Sequence, residues 1–485
     1  MSRLRWPGTA LYASLALLFV LTYLGGTHGP GIIRILFVVG CLAVSHLALR
    51  LGPAFHFEAL IVLFSCSPYL RRIVDFHSGY DPHGLMLIGP LVAVLLPTMR
   101  LPAALLQRRG AIAGQAGTFL LLALCLCYAA LLSVMQGNYM PAAIGLVKTL
   151  SVLAYGYWLI ADADPRQVMR QAGRAFAIIL PVIGIYGLMQ YLDPSPADRY
   201  WMIASQESSM GNPEPLEVRV FSMLNSPQSF GDFVIVGLMI LGYLRRSWEV
   251  LVLSAPAAIA LLLSQARAAW IALAVAILYT FSFSGTKARS TIVVAWIVIA
   301  GGFAIEATPL GDVISTRLET MTNNPGQDGS AQARLEDLRF LFDHLDSYIV
   351  GAGFSAPGGT GLAYSTQQLR ANDGIIIQSV TSMGAVVGVL FIVGVLWAGL
   401  HAAAQVKSRA EPEFVIAASL TIGQLVVLPL NNPAVGEVGI LFWSMIAVAT
   451  RAPGRQGAGS AGSPPRIPRF GADVMQAEPG SPVAR

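Results

Sequence analysis

The sequence predicts an all-α protein, a polytopic transmembrane helical bundle of about 14 spans, within a range of 12–14. Among its 485 residues, 55% are hydrophobic and 12% are charged. The mean hydropathy is +0.63. Soluble domains carry about 25% charged residues, so this chain has too few charges to cover the surface of several soluble domains. The composition excludes a soluble globular enzyme and a disordered protein.

The net charge of +5 does not indicate nucleic-acid binding, and we predict no nucleic-acid partner. Inner-membrane proteins concentrate Lys and Arg in their cytoplasmic loops, which alone makes them basic. The cysteines lie in apolar runs, at Cys41, Cys66, Cys125 and Cys127. Their positions predict neither a disulfide framework nor a zinc site. We therefore predict no metal site and no cofactor.

Fourteen apolar segments approach the roughly 20 residues that a bilayer core about 30 Å thick requires. They run near 9–25, 32–49, 54–69, 84–99, 117–136, 141–161, 175–192, 228–244, 250–264, 269–284, 290–306, 374–400, 413–430 and 436–450. Glu58 interrupts the third segment and Pro256 the ninth. Together they predict a transmembrane helical domain over residues 1–450.

The distribution of basic residues predicts the topology. With the N-terminus inside, every cytoplasmic loop receives at least one Lys or Arg, as the positive-inside rule requires. This consistency predicts an even number of spans, both termini in the cytoplasm, and a multi-pass protein of the bacterial inner membrane. The tail 452–485 is rich in Gly, Pro, Ser and Ala, and it is predicted to be disordered.

Two polar segments are predicted to lie outside the membrane, over 193–227 and 308–371. The second is the large extracytoplasmic loop, and it contains the stretch ARLEDLRFLFDHL from Ala333, which has the pattern of an amphipathic helix. Such a helix is expected to lie on the membrane surface over the bundle. Its apolar stripe would consist of Leu335, Leu338, Leu341, Phe342 and Leu345.

The positive-inside rule disfavours Lys and Arg on the outer side of the membrane. Basic residues predicted to lie there are therefore candidates for a binding function. A solvated loop face or contact with lipid phosphate is the alternative for each of them. They are Arg71, Arg72, Arg199, Arg219, Arg267, Arg317, Arg334, Arg339 and Arg370.

Arg267 is the most informative of these arginines. It stands in SQARAAW, with no charge from Val250 to Ala266 or from Ala268 to Thr286. A guanidinium in so tight a turn would lie at the membrane interface, with donors suited to a diphosphate.

Charged residues inside the predicted spans are a second class of candidates. Lys148, Asp232 and Glu58 fall within apolar runs. Such residues usually face a partner or a wet cavity, so a buried Lys148–Asp232 pair and a functional role are both open. The glycine-rich stretch Gly351–Gly361 lacks the third glycine of a dinucleotide fingerprint, and we interpret it as a turn re-entering the membrane.

Four segments, in this order, resemble the O-antigen ligase and Wzy-type polysaccharide polymerase superfamily of bacterial inner-membrane glycosyltransferases. They are FSMLNSPQSFGDFV (221–234), LLLSQARAAWIALAVA (261–276), SAQARLEDLRFLF followed by YIVGAGFSAP, and NDGIIIQSVTSMGAVVGVLFI (372–392). The resemblance covers roughly residues 215–400. It places Arg267 and Arg334 at the positions of the family's arginines.

The resemblance implies a metal-independent, inverting glycosyltransferase. It would join oligosaccharide repeat units carried on undecaprenyl diphosphate into exopolysaccharide or O-antigen at the outer face of the inner membrane. The implied partners are these lipid-linked oligosaccharides, membrane lipid, a chain-length regulator and a flippase. The implied catalytic residues are Arg267, Arg334 and, as general base, Asp373; the implied substrate-binding residues are Arg219, Arg339 and Asn225.

Two alternatives remain open. An O-antigen ligase would transfer finished polymer to lipid A-core, but the ligases' His is absent near Ala371, and His344 stands in a different motif. A lipid-linked oligosaccharide flippase or other transporter would also use many spans and basic groups. The long outer loop and the outer arginines favour the polymerase. For a polymerase, we expect the guanidiniums of Arg219, Arg267 and Arg334 to converge on one outward-facing cavity.

Overall fold

The computed structural model describes eleven stretches of the chain. They are residues 7–28, 32–99, 101, 113–205, 208–244, 248–287, 289–291, 293–295, 329–356, 374–407 and 410–452. These residues are almost entirely helical and contain no β-strand; one isolated bridge joins Gly211 and Val218. The predicted all-α class is therefore confirmed. The predicted tail 452–485 lies outside the described residues apart from its first residue.

The α-helices of the described residues are numbered here in chain order. They are α1 Pro7–His28, α2 Ile32–Leu51, α3 Pro53–Ser78, α4 Leu85–Thr98, α5 Ala113–Met135, α6 Tyr139–Asp162, α7 Pro165–Leu192, α8 Pro196–Ser205, α9 Pro227–Leu244, α10 Trp248–Leu263, α11 Arg267–Thr280, α12 Gly329–Asp343, α13 Ile375–Ala404, α14 Pro412–Val426 and α15 Gly436–Thr450.

The protein is embedded in a membrane. Eight described helices, α1, α2, α3, α5, α6, α7, α9 and α13, are long and apolar enough to cross one, and five shorter apolar helices accompany them. Large apolar side chains point outward, including Leu17 (60% exposed), Ile32 (69%) and Trp397 (60%). Such side chains are unfavourable in contact with water but are stable in contact with lipid. The number of spans stays a prediction, because the eleventh, 290–306, lies largely outside the described residues.

Helix α9 occupies the centre of the bundle. It packs against α7, α10, α11, α14 and α15. Its aromatic residues Phe230, Phe233 and Tyr243 are fully buried. Close helix contacts elsewhere depend on glycine, as is usual in membrane bundles. A Cβ built on Gly156 of α6 would lie 2.7 Å from the Cβ of Trp443 in α15.

Helix α3 is longer than predicted. The expected span ended at residue 69 and left Arg71 and Arg72 in an outer loop, but the helix continues to Ser78 and both arginines are buried. The reason is charge compensation inside the bundle. The Asp75 carboxylate lies 3.2 Å from Arg71 Nε and 2.8 Å from Arg34 Nη2. Because these charges are paired, the helix continues past the residue at which the hydropathy pattern predicts its end.

The predicted amphipathic helix is present as α12, but its apolar stripe differs from the predicted one. Leu341 is buried and, with Tyr348, packs against Ile377 and Val380 of α13. Phe342 is 69% exposed and therefore lies off the stripe. Leu345 is also partly exposed (37%), because α12 ends at Asp343 and Leu345 begins a separate 3₁₀ turn. Leu338 packs against the same cluster as predicted, and Phe340, which the prediction left out, joins it. The side chain of Leu335 lies outside the described residues.

The glycine-rich turn inserts among α5, α6 and α13. Helix α13 is broken at Gly384 (φ 82°), and Gly351 (φ 88°) lies directly against the break. Ala352 N donates to Thr381 O (2.9 Å), so the turn partly replaces the interrupted helical hydrogen bonds. Phe354 is buried, and its N–H donates to Ser133 Oγ at 2.7 Å. Irregular backbone inside a membrane bundle requires such protein partners.

Candidate functional site

The turn between α10 and α11 positions Arg267. Helix α10 ends at Leu263, Gln265 adopts a left-handed conformation (φ 53°), and Arg267 is the first residue of α11. The Arg267 side chain is half-buried. The N-terminus of a helix carries partial positive charge, so the guanidinium and the helix end both favour an anion here.

Arg219 reaches the same turn from a separate segment. Val220 N donates to Leu263 O (3.3 Å), which lays the segment along the end of α10. Arg219 Nη2 then donates to Gln265 O at 3.2 Å, and Arg267 N donates to the same oxygen at 3.0 Å. The structure therefore brings together two of the arginines predicted to form the site. Both are half-buried.

A buried arginine of α3 holds the segment that carries Arg219. Arg72 is 1% exposed and donates from Nη1 to Leu224 O (2.6 Å) and from Nη2 to Ser222 O. Its Nε lies 2.8 Å from the buried Asp198 carboxylate of α8. Because the two carbonyls belong to one tight loop, the guanidinium fixes that loop against α3.

A glutamine of α7 fixes the other edge of the same loop. Gln190 Oε1 accepts hydrogen bonds from Phe221 N (3.1 Å) and Ser222 N (2.7 Å). Ser222 has a left-handed backbone (φ 51°), and its hydroxyl donates to Ile183 O at 2.5 Å. A strained conformation of this kind persists only where its surroundings over-determine it. The whole segment 218–225 is thus held rigidly.

Asn225, predicted to bind substrate, is half-buried just before α9. The next residue, Ser226, accepts from Ser229 N at 3.1 Å and caps the helix. A Cβ built on Gly231 would lie 2.6 Å from Ala269 Cβ, so α9 and α11 are in close contact near their N-termini. Asn225 therefore belongs to the same end of the bundle as Arg267.

A buried polar network extends from this end into the core. Asp232 of α9 accepts hydrogen bonds from Gln424 (2.9 Å), Asn431 (2.7 Å) and Gln228 (3.2 Å). Nearby, Asn432 donates to Gln378 at 2.7 Å. Among the described residues, the partners of Asp232 are all neutral amides, so the alternative of a Lys148–Asp232 ion pair is wrong.

Lys148 has different neighbours. It is half-buried on α6, within electrostatic range of Glu437 at the start of α15 and of Arg71 on α3. The interior of the bundle therefore contains charges of both signs near its Arg267 end.

An apolar groove of about 290 Å³ lies between α1 and α3. Val20 and Leu24 on its wall are half exposed, so it opens towards the lipid. Its lining includes the buried Met223, which belongs to the segment that also carries Arg219 and Asn225. The groove is lined by Phe19, Val20, Tyr23, Leu24, Cys66, Tyr69, Leu70 and Met223.

The remaining predicted site residues lie in or just after the segment 308–371, which the sequence predicts to be extracytoplasmic. Arg339 is exposed on α12. Arg334 lies in the same helix, but its side chain is outside the described residues, so its convergence with Arg219 and Arg267 stays a prediction. Asp373 also lies outside them; the residue after it, Gly374, contacts Pro429 O, two residues before Asn431. Within the described part of the chain, no group of three His, Cys, Asp or Glu side chains is arranged to ligate a metal ion.

Sequence reasoning missed the amides around Asp232 and the role of Arg72. Gln424 lies in the predicted span 413–430 and Asn431 in the turn after it. Because neither is charged, a search for charged residues in apolar segments does not identify them. The sequence does contain one indication that α3 continues beyond residue 69. Arg71 and Asp75 are spaced i, i+4, which places both side chains on the same face of a helix.

The sequence matches no protein-family model, and no curated protein matches it significantly.

Proposed function

We propose that this membrane protein is a polymerase that joins undecaprenyl-diphosphate-linked oligosaccharide repeat units at the outer face of the bacterial inner membrane. The observation that carries the proposal is that the Arg219 guanidinium and the Arg267 main-chain N–H donate to the same carbonyl oxygen, that of Gln265. This site lies at the end of apolar helices, where the head group of a lipid would be.

Two arginines are well suited to bind a diphosphate. A guanidinium presents several donors in a planar fork that matches phosphate oxygens. Partial burial strengthens this attraction relative to open water. The N-terminus of α11 adds further positive potential at Arg267.

The lipid-facing groove supports a substrate with a long hydrocarbon chain. Met223, one of the residues that line the groove, is four residues from Arg219 in a rigidly held segment. A polyprenyl chain in the groove would therefore place its diphosphate near the two arginines. Burial of the chain would stabilise binding by about 25 cal/mol per Å² of apolar surface.

The proposed reaction is inversion at the anomeric carbon. A hydroxyl oxygen of the acceptor sugar forms a bond to this carbon while the bond to the diphosphate oxygen breaks. The electron pair and negative charge pass to the diphosphate. Arg219 and Arg267 stabilise this charge, and the resemblance implies that Arg334 does so too. The hydroxyl proton passes to a general base, for which Asp373 is the candidate.

A transporter of lipid-linked oligosaccharides is the second candidate. The half-buried Lys148 and its neighbour Glu437 favour it, since charges inside a bundle often line a transport pathway. A ligase that transfers finished polymer shares the chemistry of the polymerase and differs in its acceptor.

The test is Arg267→Ala in the native host, with the cell's glycans separated by size on a gel. A polymerase predicts loss of polymer and accumulation of single repeat units on the lipid carrier. The polymerisation rate should fall by about 10²–10³, the typical effect of removing one group that stabilises developing negative charge.

The matched control is Arg199→Ala. Arg199 also lies in the segment 193–227, but it forms exposed ion pairs with Asp193 (2.8 Å) and Glu214 (3.7 Å). It should leave the polymer unchanged. In Arg267→Ala cells, full-length polymer that stays on its lipid carrier would indicate a ligase. Repeat units that stay on the cytoplasmic side would indicate a flippase. An unchanged glycan pattern would contradict the role of Arg267.

A further inference from the structure

Lys148 and Glu437 are opposite charges inside the bundle that do not form a direct ion pair. Lys148 belongs to α6, and Glu437 lies in the first turn of α15. Each is within electrostatic range of the other, yet neither forms a hydrogen bond or an ion pair with any residue that the structure describes. A charge inside a membrane bundle is strongly unfavourable unless a partner or water solvates it. Both charges therefore need a polar environment that the described side chains do not supply.

The packing of α6 against α15 makes the two residues neighbours. A Cβ built on Gly439 of α15 would lie 2.9 Å from Val152 Cγ2 of α6, and the next close contact lies four residues further along both helices. The two helices therefore run side by side in the same direction. Lys148 precedes Val152 by about one turn, so it lies on the face of α6 that meets the start of α15.

Water reaches both charged groups although they lie inside the bundle. Lys148 is enclosed by the surrounding helices, and it lies about 13 Å along α6 from the first residue of that helix, Tyr139. Its ammonium and the Glu437 carboxylate nevertheless remain accessible, and both residues are only half-buried. The two charges therefore border polar space between α6 and the start of α15.

A ligand in this space must suit charges of both signs. An anion such as a phosphate would be repelled by Glu437, and a cation would be repelled by Lys148 and by Arg71, which lies within electrostatic range of Lys148. A hydroxyl group both donates and accepts hydrogen bonds. A neutral ring that carries several hydroxyls can therefore donate to the carboxylate and accept from the ammonium at the same time.

We propose that Lys148 and Glu437 form a binding site for an uncharged sugar residue of the lipid-linked oligosaccharide. This inference rests on the proposed function and adds to it the place where the saccharide binds. Glu437 also lies within electrostatic range of Asp232 on α9. Helix α9 contacts α11 close to Arg267, because a Cβ built on Gly231 would lie 2.6 Å from Ala269 Cβ. The sugar site and the arginine pair therefore belong to the same end of the bundle.

The experiment compares the affinity of the purified full-length protein, in detergent, for two lipids. One is the lipid-linked repeat unit extracted from the native host, and the other is bare undecaprenyl diphosphate. Lys148→Met and Glu437→Gln should each weaken binding of the repeat unit about tenfold, the effect of losing one charge-assisted hydrogen bond. Both variants should bind bare undecaprenyl diphosphate as the wild type does, because this lipid carries no sugar.

The matched control is Glu413→Gln. Glu413 is also a half-buried acidic residue in the first turn of a helix, but that helix is α14, whose start lies at the opposite end of the bundle from the start of α15. This variant should bind both lipids with wild-type affinity.

The other outcomes overturn the inference. Unchanged affinity of both variants for the repeat unit would mean that water alone solvates the two charges. An equal loss of affinity for both lipids would mean that the site binds phosphate. A wild type that binds neither lipid would contradict the proposed function itself. If Lys148→Met fails to fold, Glu437→Gln decides, since it keeps the size of the side chain and its ability to form hydrogen bonds.

Discussion

At the residue scale, the buried Arg72 holds together the end of the bundle that contains Arg267. Arg72 joins α3, α8 and the loop before α9 through one guanidinium. It does so at 1% exposure, where a charge is tolerated only with a complete set of partners. Arg72 therefore acts as a positioning residue for the segment that carries Arg219.

Replacing Arg72 by Met should destabilise the protein by about 3–5 kcal/mol, because Asp198 would become an uncompensated buried charge. The loss should appear as a lower unfolding midpoint in detergent. The double variant Arg72→Met, Asp198→Asn should recover part of it. Arg199→Met removes two exposed ion pairs and should cost at most about 1 kcal/mol. Equal, small losses for Arg72→Met and Arg199→Met would contradict the assigned role.

The sequence predicts part of the site at this scale. Arg267 is conspicuous because the sequence carries no other charge near it. Its proximity to Arg219 was expected only for a polymerase, in which both arginines would bind the diphosphate. The amides around Asp232 are neutral and scattered over α9, α14 and the loop after α14, so only the tertiary packing identifies them. Asp373 and the Arg334 side chain lie outside the described residues and stay predictions.

At the scale of elements, the broken helix α13 and the glycine-rich turn form one unit. Gly351 and Gly384 approach so closely that neither can carry a side chain. Both also have positive φ angles, which other residues adopt at a cost. The sequence predicted a turn here but not the break at Gly384, because the apolar run 374–400 has the composition of an uninterrupted span.

Gly351→Ala should loosen the segment 329–356 from the bundle. A Cβ at this position would lie 2.7 Å from the Met383 carbonyl carbon, so the turn must move away from α13. We expect faster proteolysis within residues 329–356 and a lower unfolding midpoint. Gly79→Ala is the matched control, since Gly79 has the same φ of 88° but nothing within 4 Å of its Cβ position. If both variants behave alike, backbone strain alone explains the effect and the close contact is unimportant.

At the scale of the whole molecule, composition was the strongest predictor. Low charge and high apolar content predicted a helical membrane protein, and the described helices with their outward apolar side chains agree. The ends of the spans were harder to predict. Buried ion pairs such as Arg71–Asp75 allow a helix to continue through charged residues, which a hydropathy pattern treats as its end.

Under the proposed function, the lipid-facing groove, the rigid segment 218–225 and the arginine pair would together form one binding site for a lipid diphosphate. The groove would bind the hydrocarbon chain and the arginines the phosphates. Loss of either arginine should therefore weaken binding of the charged head group without affecting the chain.

The most direct test is the affinity of the purified protein for undecaprenyl diphosphate, compared with undecaprenol, which lacks the phosphates. Arg267→Ala should weaken diphosphate binding roughly tenfold or more, the effect of losing about 1.5–3 kcal/mol of charge-assisted hydrogen bonding. Its affinity for undecaprenol should not change, and Arg199→Ala should bind both lipids as the wild type does. Equal affinities of Arg267→Ala and the wild type for undecaprenyl diphosphate would contradict the account.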